Sequence, residues 1–177
     1  MNYQDLRPQI KTGDYGLCQG TQTTSEVIEF LTGPDSHVFK FVWIGDGLWC
    51  AEEWEGVGFQ LIPASLKLNY YWGMEKPGTV KLGIAPDIVR TNQDKGMDFI
   101  STYRSDKNLQ PYGGLPTFWE IMEAKFGVKI DPMSVQAVCS TFCQQYDITC
   151  GMQFSTLFAP SDFEKLVTDI IPIDKGV

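Results

Sequence analysis

The succession of apolar and polar residues along this chain lays out its elements before any chemistry is considered. Residues 1–12 are polar and broken by Pro8, the pattern of a flexible N-terminal arm. From Gly13-Asp14 the chain tightens into residues 15–18, short and apolar enough for a strand. Thr23-Thr24-Ser25 reads as a helix start, with Val27, Ile28 and Leu31 at helical spacing and Gly33 as the stop. A Gly33-Pro34-Asp35 turn leads into residues 37–44, where His37, Phe39, Phe41 and Trp43 share one side and Val38, Lys40, Val42 and Ile44 the other. Both sides are mostly apolar, so this strand is expected in the interior of a sheet. Gly45-Asp46-Gly47 between two apolar runs predicts a hairpin, with residues 48–54 returning antiparallel. Residues 59–62 follow as a strand, 63–66 as a helical turn, and 69–72 and 79–84 as two further strands around a Lys76-Pro77-Gly78 turn.

The second half reads as mainly helical. Residues 86–103 carry Ile88, Val89, Met97, Ile100 and Tyr103 in a helical pattern broken by Gly96, and residues 110–114 form a loop. Thr117-Phe118-Trp119-Glu120 has the form of a capping box, and Phe118, Ile121, Met122 and Phe126 continue it as a helix up to Gly127. Val138, Phe142 and Tyr146 recur every four residues within a helix over 135–146. Ser161 to Glu164 repeats the capping pattern, predicting a last helix through Phe163, Leu166, Val167 and Ile170 and a frayed tail from Ile173. The elements add up to an α+β fold, one domain over residues 13–177, with an antiparallel sheet or half-barrel packed against helices.

Composition narrows the function classes. In 177 residues, 43% hydrophobic content supports a sizeable core, and 14 basic against 22 acidic residues leave a net charge of −8. Such a chain is repelled by nucleic-acid backbones and anionic membrane surfaces, and suits a neutral, cationic or peptide-like substrate. Neither a signal peptide nor a run of membrane-spanning length is visible, so a cytoplasmic location is expected. Oligomeric state is left open. The five cysteines, Cys18, Cys50, Cys139, Cys143 and Cys150, are odd in number and unframed, which argues for reduced thiols. Cys139, Cys143 and Cys150 with His37 could supply four zinc ligands, yet their spacing lacks the paired knuckles that clamp the ion. No metal and no cofactor is expected.

His37 is the sole histidine and therefore the sole side chain that titrates near neutrality unperturbed. The hairpin returns Glu52 and Glu53 towards it, and because strand residues alternate in direction only one of the two can share its face. Among the thiols, Cys139 suits a nucleophile if its helix begins near Val138, where the helix dipole would favour a thiolate. Asp131-Pro132 is an equally good start and would leave Cys139 two turns inside. Cys143 and Cys150 read as core thiols.

These residues carry a resemblance. Gly13-Asp14 opening a strand, the Ser36-His37-Val38 strand entry, a hairpin returning through Cys50-Ala51-Glu52, then Gly56-Val57 and Pro63, and far downstream Val138-Cys139-Ser140, resemble the circularly permuted NlpC-type papain-like superfamily, in particular its YiiX-like branch. The order matters, since this group presents histidine first and cysteine last. Phe39-Lys40 and Thr141 depart from the family pattern.

The resemblance implies a permuted papain-like fold and a thiol hydrolase that cleaves an amide, in a peptide or cell-wall peptide, through a covalent acyl-enzyme. Cys139 would be the nucleophile, His37 the proton carrier and Glu52, with Glu53 as second choice, the group that orients the imidazole. The backbone N–H of Cys139 would meet the oxyanion. Trp54 and Tyr112 are the aromatic candidates for binding a peptide or peptidoglycan-like substrate. Two alternatives stand beside it: within the same superfamily, a thioesterase or acyltransferase of the lecithin:retinol acyltransferase-like kind, and, in another class, a non-catalytic structural or interaction protein, of a kind a phage could encode, that keeps the fold.

Overall fold

The computed structural model describes residues 1–20, 34–54, 57–74, 77–105 and 139–175. Its centre is a six-stranded open sheet built from β1 (Tyr15–Gln19), β2 (His37–Ile44), β3 (Gly47–Trp54), β4 (Gly58–Pro63), β5 (Thr79–Gly83) and β6 (Ile170–Pro172). The strands lie in the order β4-β3-β2-β1-β5-β6, and every neighbouring pair is antiparallel. The β2–β3 hairpin closes on Ile44↔Gly47, and Gly45 takes the positive φ of 58° that a two-residue hairpin loop with glycine first requires.

Strict alternation along the strands divides the interior in two. Tyr15, Leu17, Val38, Val42 and Ala51 face one core; Cys18, Phe39, Phe41, Cys50, Val80 and Leu82 face the other. The first core is closed by α3 (Asp87–Thr91), α4 (Gln93–Ser105) and α5 (Cys139–Thr149), through Val89, Ile100, Tyr103, Phe142 and Tyr146. The second is closed by α1 (Tyr3–Leu6) and α2 (Ala64–Trp72), through Tyr3, Leu6, Ala64, Leu68 and Tyr71. A sheet covered on both faces explains why the middle of β2, from Val38 to Val42, is buried on both sides. The fold class is α+β, with an antiparallel open sheet packed against helices.

Two glycines set how closely the layers approach. A Cβ at Gly16 would lie 2.0 Å from Phe39 Cζ, so the bare backbone of β1 admits the ring that stands in the Phe39-Lys40 departure. A Cβ at Gly96 would lie 2.2 Å from Tyr146 Cζ, which explains the glycine inside the helical pattern of α4: it seats α5.

Several sequence expectations need correction. Residues 69–72, expected as a strand, complete α2, because Ala64, Lys67, Leu68 and Tyr71 form its buried stripe at i, i+3, i+4 and i+7. The expected last helix is a 3₁₀ turn, Pro160–Lys165, after which Ile170–Pro172 adds an edge strand to β5; proline is tolerated there because an edge strand has one unpaired side. Residues 1–12 carry α1 and a 3₁₀ turn and bury Tyr3, Leu6 and Ile10, so the arm is docked. Ile173 of the supposed tail is buried too, and its neighbour Asp174 pairs with the N-terminal ammonium at 2.9 Å. The helices expected over 23–31 and 117–126, the loop at 110–114 and the helix start near Val138 lie outside the described residues.

Candidate active site

The site forms where β2 parts from β3. Their pairing ends at Lys40↔Ala51, while β3 continues against β4 through Glu52↔Gln60 and Glu53↔Phe59. His37, at the first position of β2, and Glu52, beyond the last paired residue of β3, meet across that opening. His37 Nε2 lies 2.5 Å from Glu52 Oε2. Glu52 is wholly buried, whereas the imidazole keeps 12% of its surface exposed.

Glu52 is held from three directions. Besides the imidazole on Oε2, its Oε1 accepts from Gln60 Nε2 at 2.6 Å and from Lys67 Nζ at 2.7 Å. Burial pushes the Glu52 carboxyl up, but the charges and hydrogen bonds of His37 and Lys67 outweigh burial and hold it below the usual carboxylate range. An ionised carboxylate only accepts, so Nε2 carries the proton and Nδ1 is the nitrogen left for another partner.

Cys139, the first described residue of α5, lies close enough to the His37 ring for its charge and hydrogen bonding to bear on the imidazole. The thiol is 6% exposed. Burial pushes it up; the His37 charge and hydrogen bond, joined by a hydrogen bond from the Val38 backbone N–H, overcome this and leave it below an ordinary thiol. Burial works against the imidazolium as well, and the negative partners Cys139 and Glu52 raise it above the ordinary histidine value. With all four groups ionised, the row Cys139, His37, Glu52, Lys67 would alternate in sign and sum to zero.

Glu53, the second candidate for orienting the imidazole, is turned to the opposite face. Its buried carboxylate has no close hydrogen-bond partner among the described residues, and burial raises it to about 7 against the lowering effect of the nearby Tyr103 hydroxyl. Trp54 stands edge-on to the imidazole, with centroids 5.0 Å apart at 77°, and Tyr70 meets Trp54 edge-on at 5.6 Å. Tyr112 lies outside the described residues. Cys143 and Cys150 are fully buried in the first core and burial raises both thiols, Cys150 to about 11.

Sequence reasoning missed Gln60 and Lys67. Lys67 occupies a position of the buried stripe of α2, a signal that becomes readable only once 64–72 is one helix. Gln60 is the cross-strand partner of Glu52, visible only with the β3–β4 register in hand.

Among the described residues no group of three or more His, Cys, Asp or Glu side chains is placed to hold a metal ion. The single imidazole is already engaged by Glu52 and Cys139, so these residues do not fit a metal centre. No described helix is long and apolar enough to cross a membrane. No family model and no curated protein matches the chain. Among solved structures, the chain is similar to the metalloprotein YiiX from Escherichia coli O157:H7, with a TM-score of 0.50 and 15% identity over 94% of this chain and 98% of that one. At that identity the likeness is one of architecture, and it gives this chain a YiiX-like α+β fold.

Proposed function

We propose that the protein is a cysteine hydrolase of the permuted papain-like kind, cleaving an amide bond in a peptide or cell-wall peptide. The observation that carries this reading is one imidazole bound by Glu52 at Nε2, with the Cys139 thiol as the other group that bears on it. Histidine before cysteine along the chain agrees with the permuted order.

The chemistry then runs in two halves. The Cys139 thiolate attacks the carbonyl carbon, and the oxyanion is met by the Cys139 backbone N–H. As the C–N bond breaks, the Nδ1 proton of His37 passes to the leaving amine, giving a thioester on Cys139. Water next attacks that thioester, losing a proton to His37; the carboxylic acid leaves, the sulfur departs as thiolate, and His37 keeps the proton, restoring the starting pair. Glu52 keeps Nε2–H pointed at itself throughout and offsets the imidazolium charge. Trp54 walls the imidazole on the side where substrate would lie.

A panel of peptide amides and acyl esters, read by product release and intact mass, tests the reaction class. A +acyl adduct on Cys139 with amide turnover is expected. Hydrolysis of esters alone would move the assignment to thioesterase chemistry, and no adduct with either class would leave a protein that keeps only the fold.

A further inference from the structure

We propose that Lys67 is a positioning residue of this site, acting through Glu52 to hold the thiolate–imidazolium pair together. The inference rests on the proposed Cys139–His37 chemistry and adds a fourth group to it.

Lys67 is a lysine with 2% of its surface exposed, in the middle of a helix. Burying an ammonium is costly unless it is paired and its charge well placed. Its Nζ reaches Glu52 Oε1 at 2.7 Å and lies 3.4 Å from the centre of the Trp54 ring, with Tyr71 and Tyr70 at 5.6 and 5.9 Å. This cation–π seat fixes the ammonium without adding a second anion to compete for it. Among the described residues, the other titratable groups that face it are Cys18 on β1, Cys50 on β3, and Tyr70 and Tyr71 on α2; His37 and Cys139 are reached through Glu52.

Trp54 is therefore held on one side by the Lys67 ammonium and touches His37 on the other. Glu52 likewise takes Lys67 on one oxygen and His37 on the other. One cation fixes both groups that border the imidazole. Without it, a wholly buried carboxylate would face His37 with only Gln60 as further support. Whether Glu52 then protonated or stayed ionised, the thiolate would lose: a neutral Glu52 deprives the imidazolium of its counter-charge, and an ionised one presents an unbalanced negative charge to the sulfur.

The test is the pH profile of Cys139 alkylation by iodoacetamide, followed by peptide mass, in the full chain and in Lys67→Met, Glu52→Gln and the double variant. In Lys67→Met the acid limb is expected to move up by about one pH unit, the lower end of what a neighbouring charge does. In the Glu52→Gln background, Lys67→Met should move it no further. The double variant buries no orphaned charge, so it reports on the coupling even if Lys67→Met alone does not fold. An unmoved limb in Lys67→Met, or an equal shift with and without Glu52, overturns the inference. A wild-type profile with no acid limb contradicts the thiol–imidazole pair itself, and this inference with it.

Discussion

At the scale of single residues, two adjacent glutamates show how one strand position separates their chemistry. Glu52 faces His37, Gln60 and Lys67 and is held ionised; Glu53 faces the aromatic core around Tyr103 and Phe59 and is raised to about 7 by burial. Removing the charge of Glu52 while keeping its shape should weaken turnover less than removing Cys139, because a glutamine can still accept from Nε2–H. Steady-state kinetics of Glu52→Gln beside Cys139→Ala check this, with a drop of about ten- to a thousandfold for the first and complete loss for the second. Glu53 makes a different prediction. Its pKa is higher in the folded chain than its ordinary 4.5, so the stability it contributes is full below that value and lost as pH rises through about 7. Replacing it with glutamine should therefore stabilise the protein by roughly 3 kcal/mol near pH 8.5 and by less than about 1 kcal/mol near pH 5, measured by denaturant unfolding at both.

Among the elements, the relation between β2 and α5 decides whether a site exists. They meet at two places. His37 and Cys139 touch at one; at the other, Lys40 reaches Asp147 at 2.5 Å with both side chains wholly buried. Tyr15 donates to the second Asp147 oxygen at 2.7 Å, Gly13 offers its carbonyl to Lys40 at 3.0 Å, and the ammonium lies 3.3 Å from the Tyr15 ring centre. Lys40 is thus a clamp between the histidine strand and the cysteine helix. Lys40→Met should cost about 3–5 kcal/mol by leaving Asp147 unpaired, and Lys40→Met with Asp147→Leu should recover most of it. Thermal unfolding of the two variants separates a buried ion pair from general overpacking, in which the double variant would fare no better.

The same elements show what could be read from sequence and what could not. Residues 37–44 and the turn after them were legible because apolar alternation and Gly45-Asp46-Gly47 are local signals, and they brought Glu52 back towards His37 with no tertiary information. Residues 63–66 read correctly as a helical turn, whereas 69–72 read as a strand because Tyr70-Tyr71-Trp72 has strand propensity, while the deciding stripe begins six residues earlier and includes a lysine. Ile170–Pro172 was misread because an edge strand is created by its partner, β5, and nothing local announces it.

For the described part of the molecule, two cores share one sheet, and residues 1–6 and 170–174 come together at its β5–β6 edge. β1 and β5 lie side by side, β6 and α1 close the edge, and the N-terminal ammonium pairs with Asp174. The site lies at the other scale of separation, between a histidine near the beginning of the sheet and a cysteine about a hundred residues later in the chain, an arrangement that needs both cores formed. An account in which that arrangement is a working thiol–imidazole pair is tested most directly by alkylation. An ordinary thiol is only about 0.3% thiolate at pH 6. Cys139 should nonetheless react with iodoacetamide at that pH far ahead of Cys18, Cys50, Cys143 and Cys150, and His37→Ala should abolish the preference; uniform slow labelling of all five cysteines, unchanged by that substitution, would contradict it.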